Sequence, residues 1–169
     1  MDISFLTSRQ HDLRLPAAVR DRAAASWVST QANLSNKSIE EAPFRRMYNF
    51  WLAGIVWAEY LNLEPDAAAK GEKFVSSGPT PNDVHLDTWI LELLLLIAVN
   101  RLQPKVDELP DAADVFSLAN KLAAVGAARL LYDLESRAGI LEPRLYTATN
   151  WFQEAAKASR AELVRNGAL

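Results

Sequence analysis

An all-α fold of about six helices is predicted by three features of this 169-residue chain. Six of its eight prolines, Pro16, Pro43, Pro65, Pro81, Pro110 and Pro143, stand where a helix would begin. Proline suits the first helical turn because its missing N–H would be unpaired there and its fixed φ already fits the helix. Each is followed by a stretch rich in Ala, Leu, Glu, Lys and Arg, which lose least on becoming helical. No stretch reads as alternating β-branched and polar residues, so no sheet is expected. With no long linker and no internal repeat, residues 1–169 are read as one helical-bundle-like domain.

Along the chain, Asp2 to Arg9 reads as a short helix and Gln10 to Leu15 as a connection. From Pro16, Val19, Ala23 and Trp27 recur at helical spacing and carry a helix to about Ala32. Ser38-Ile39-Glu40-Glu41 has the spacing of a capping box, so the next helix should start between Ser38 and Pro43 and end near Asn62. Pro65 opens a shorter helix to about Ser76. Thr80-Pro81-Asn82-Asp83 supplies an N-cap, an N1 proline and an early acid for a helix to about Leu102. The longest helix is expected from about Pro110 to Ala138, stopped by Gly139, and the last follows Pro143 to near Asn166.

Three of these helices carry most of the information. The one after Pro81 is apolar around nearly its whole circumference from Trp89 to Val99, which predicts a central helix enclosed by others. Its exception, Glu92, should lie at the helix edge or meet Arg45, Arg46 or Arg129, because an unpaired buried carboxylate costs several kcal/mol. The long helix after Pro110 is rich in small residues that let a neighbour approach closely.

The helix after Pro43 carries two apolar stripes, Phe44, Tyr48, Trp51, Ile55 and Met47, Phe50, Gly54, Trp57, Leu61, with Leu52 and Val56 outside both. Trp51 is assigned to the core. Trp57, with Phe50, Leu52, Val56 and Tyr60, is assigned to a protein interface, where large aromatics are favoured anchors. Gly54 should mark a close helix crossing, since a mid-helix glycine costs about 1 kcal/mol relative to alanine.

Composition narrows the classes of function. The net charge of −3 does not suit a whole-protein polyanion binder. A local basic patch from Arg9, Arg14, Arg20, Arg22, Arg45 and Arg46 would still allow contact with an RNA or DNA backbone. The absence of cysteine removes thiolate catalysis and disulfides and fits a reducing cytoplasm. The opening residues lack the basic start and apolar run of a secretory signal, and the Trp89–Val99 run is too short to span a bilayer.

Asp83, His85, Asp87 and Glu92 form the densest group of catalytic residue types, which suggests a metal-dependent hydrolase as one alternative. On a helix Asp83 and Asp87 would share a face, but Glu92 would lie nearly opposite Asp83 and His85 elsewhere, and no Glu-x-x-His pair occurs. No Gly-x-Ser-x-Gly elbow or phosphate-binding loop occurs either. The reading is therefore a non-enzymatic, cofactor-free cytoplasmic subunit that binds a protein partner or a second copy. Nucleic-acid contact through the arginines is the second alternative.

Overall fold

A computed structural model describes residues 3–29, 42–66, 71–104 and 108–136. The helix expected after Pro143 and the capping box at Ser38 lie outside these residues. Among the described residues the chain forms a 3-10 turn at Ser4–Leu6, strand β1 at His11–Leu15, α1 at Ala17–Ser26, α2 at Met47–Tyr60, β2 at Glu72–Ser77, α3 at Thr88–Leu102 and α4 at Ala112–Ser136. The expectation of about six helices without a sheet is thus corrected to four α-helices and one antiparallel pair of strands among the described residues.

The proline rule holds at two of these sites. Pro16 directly precedes α1, and α4 begins just after Pro110, where Asp111 Oδ1 accepts the Asp114 amide at 2.8 Å. It fails at Pro43, because the chain stays extended through Phe44. There the Phe44 amide donates to the Trp27 carbonyl and the Phe44 carbonyl accepts from Ser29, delaying α2 to Met47.

It fails again at Pro81. Asp83 does not cap a helix but closes a free-standing turn, accepting the Thr80 amide at 3.0 Å, the Thr80 hydroxyl at 2.7 Å and the Gln10 side-chain amide at 2.6 Å. The Val84 amide then donates to the Ser76 carbonyl, so the chain runs beside β2 before α3 begins at Thr88.

The segment after Pro65 fails most completely, since Glu72–Ser77 is a strand. β1 and β2 pair in register from His11↔Ser77 to Leu15↔Glu72, with Phe74 as an additional residue on β2 between Leu13 and Arg14. Leu13 and Leu15 are fully buried while Arg14 is exposed, the period-2 pattern of a strand with one covered face.

α4, not α3, is the hub, for α1, α2, α3 and β1 all pack on it. α3 buries Ile90, Leu91, Leu94, Leu95, Ile97 and Ala98 but leaves Trp89 and Leu102 exposed, so it is covered on one side only. Glu92 is exposed, which spares its charge the cost of burial.

The closest approach is between α2 and α4. A Cβ at Gly54 would sit 2.8 Å from the Ala127 amide nitrogen, and one at Gly126 would collide with the Gly54 carbonyl. Both glycines are therefore sterically required, and the close crossing expected at Gly54 is present.

Candidate functional site

Beside that crossing, α2 and α4 run out to the surface and carry a connected group of aromatic and charged side chains. The Trp57 indole donates to Asp133 Oδ2 at 3.0 Å. Asp133 also accepts from Arg129 Nε at 3.2 Å, an i,i+4 pair on the helix. The Arg129 guanidinium lies 5.7 Å from the centre of the Tyr132 ring, and Tyr60 lies 5.5 Å from Trp57. Tyr60 is 57% exposed and Tyr132 63%, so the group ends in two rings that face outward. A second cross-element pair, Arg22 to Glu135, lies on the neighbouring turn of α4.

The five residues assigned from sequence to an interface therefore meet different fates. Phe50 is corrected to the core. It is fully buried and meets Phe44 edge-on at 5.2 Å, because α2 is enclosed on two sides near its start. Leu52 and Val56 are half-buried. Trp57 is half-buried and tied to α4, so it supports the surface group from below. Tyr60 is the exposed member. Trp51 is completely buried, with its indole donating to Asn120 Oδ1 at 3.1 Å.

Tyr132 and Asp133 were missed by sequence reasoning, and Arg129 was considered only as a partner for Glu92, whereas it pairs with Asp133. The available signal was a large ring on the stripe Lys121, Ala128, Arg129, Tyr132, Glu135, which is otherwise the polar side of α4.

The arginines considered for nucleic acid are mostly committed elsewhere. Arg14 pairs with Asp12 at 2.8 Å, Arg20 with Asp21 and Glu72, and Arg22 with Glu135. Lys73 and Arg14 hydrogen-bond Asp12 and hold its carboxyl below the usual carboxylate range. Arg9, Arg45 and Arg46 are exposed.

Of the suggested metal ligands, Asp83 is buried in its turn, where the Thr80 and Gln10 hydrogen bonds lower its pKa. His85, Asp87 and Glu92 are exposed. Among the described residues no group of three or more acids and histidines is placed to hold a metal ion. No described helix is long and apolar enough to cross a membrane. The chain matches no protein-family model, and no curated protein and no solved structure is detectably similar to it.

Proposed function

We propose that this protein is a non-enzymatic, cytoplasmic interaction subunit that associates through the Tyr60–Trp57–Asp133–Arg129–Tyr132 surface, with a second copy of itself as the first occupant. The observation that carries the reading is the composition of that surface. Tyr60 meets the half-buried Trp57, whose indole is joined through Asp133 to Arg129 and so to the exposed Tyr132, and Tyr, Trp and Arg dominate binding hot spots. An exposed tyrosine adds large contact area at little cost in side-chain entropy.

Self-association is favoured over a strongly charged partner because the surface carries both signs, Arg129 with Asp133 and Arg22 with Glu135. A two-fold interface requires such self-complementarity. Light scattering of the eluting protein over a wide concentration range tests the reading. A mass rising toward twice that of the chain supports it. A monomer at every concentration removes self-association.

A further inference from the structure

The C-terminal ends of α2 and α3 converge on a second feature, a cavity of about 600 Å³ lined chiefly by Glu59, Asn62, Glu64, Asn100, Arg101 and Lys121. That volume is in the range of small-molecule sites. Both helices end in a left-handed residue, Asn62 with φ 51° and Gln103 with φ 47°. The backbone changes direction at both positions, and both residues line the cavity. For glutamine this conformation is uncommon and costs free energy, so the surrounding structure must hold it in place.

Arg101 lines the cavity with only 15% of its side chain exposed. Its Nε donates to Glu59 Oε1 at 2.9 Å and its Nη2 to the Leu63 carbonyl at 3.3 Å, fixing one edge of the guanidinium to the protein. Its Nη1 has no hydrogen-bond partner among the described residues. The nearest carboxylate is Glu64, 3.8 Å away and 85% exposed, too far for a hydrogen bond. Lys121 reaches the same space from α4 and forms no ion pair among the described residues.

A preoriented guanidinium with unspent donors, an unpaired ammonium and two asparagine amides suit an oxygen-rich anion. Glu64 stands loosely where such a group would bind. We propose that this cavity binds a small metabolite through a carboxylate or phosphate group, held by Arg101 Nη1 and Lys121, with Glu64 as the side chain it displaces.

The test is an NMR titration of the whole chain with succinate and, separately, inorganic phosphate, with sodium chloride at equal ionic strength as control. Arg101 also ties α3 to α2, so the variants are Lys121→Gln and Glu64→Gln, which leave that tie intact. The expected result is saturable shifts confined to amides near residues 59–64, 100–103 and 118–121, absent with chloride. Lys121→Gln should weaken binding about fivefold, as loss of one partly solvated charged contact would. Glu64→Gln should tighten it. Saturation by succinate alone identifies a carboxylate ligand, and by phosphate alone a phosphorylated one. No saturable shift with either anion overturns the proposal, as does equal affinity in the wild type and both variants.

Discussion

The face of α4 that carries Gly126 and the face that carries Tyr132 meet their surroundings in opposite ways. They lie six residues apart, about 240° around the helix at roughly 100° per residue. The inner face is buried. Gly126 and Ala127 admit the α2 backbone, and the Asn120 side chain serves three neighbours at once. It donates to the Asp12 carbonyl at 2.9 Å and accepts the Arg14 amide at 2.9 Å and the Trp51 indole at 3.1 Å. Its amide thus engages the β1 backbone on both sides of Leu13, as another strand would. On the outer face, Arg129 and Tyr132 contact each other and leave most of their surface open. Inner-face variants should therefore cost folding, and outer-face variants should cost association.

The largest loss is expected for Trp51→Ala. Removing a completely buried tryptophan and a hydrogen-bond partner of Asn120 should lower stability by about 3–5 kcal/mol, read by urea unfolding. Trp57→Ala should cost clearly less, since that ring is half-buried. Equal losses would erase the distinction between the two tryptophans.

Gly126→Ala comes next. Its methyl group would collide with the Gly54 carbonyl and force the helices apart, at a cost of about 3 kcal/mol from overpacking despite alanine's better helix propensity. A wild-type melting temperature would mean that the crossing is loose.

Asn120→Ala would leave a backbone amide, a backbone carbonyl and an indole without their partner, costing about 2 kcal/mol. It should also expose β1 to faster amide hydrogen exchange before α2 is affected.

A smaller effect follows from His11, whose ring stacks on Phe116 of α4 at 4.3 Å with its Nε2 buried and unpartnered. Burial and nearby Arg9 lower its pKa below 6.5, while Asp111 and Asp12 oppose that shift. Because the fold favours the neutral ring, its contribution is fully present above pH 6.5 and is lost as pH falls below that value. Urea midpoints at pH 7 and pH 5 should differ in the wild type, and by less in His11→Phe. An unchanged difference would assign the acid sensitivity to other groups.

The same contrast explains what was legible in the sequence. α4 was readable nearly end to end because its apolar spacing, its small residues and the Pro110–Asp111 start are local signals. Gly54 was readable because a glycine in mid-helix asks for a steric reason. The sheet was not. Leu13 and Leu15 do alternate with Asp12 and Arg14, but over only five residues, and their partner strand lies some sixty residues away. Strand pairing at that separation leaves no local trace. Phe74-Val75 between Gly71 and Gly78 was the signal for β2, and the helix-favouring residues after Pro65 masked it. Thr80 to Asp83 misled because a capping sequence and a tight turn use the same hydrogen bonds. The outer-face group was only half legible. Tyr60 stood out within an aromatic helix, whereas Tyr132 acquires meaning only when Trp57 reaches across to Asp133.

The division between a closed inner face and an open outer face is tested most directly by one double variant, Tyr60→Glu with Tyr132→Glu, followed by thermal melting and light scattering on the same sample. Both rings are exposed, so the melting temperature should stay near that of the wild type while the species of twice the chain mass disappears. A large drop in melting temperature would place these rings in the core. An unchanged mass distribution in a protein that does associate would show that the outer face of α4 is not where it does so.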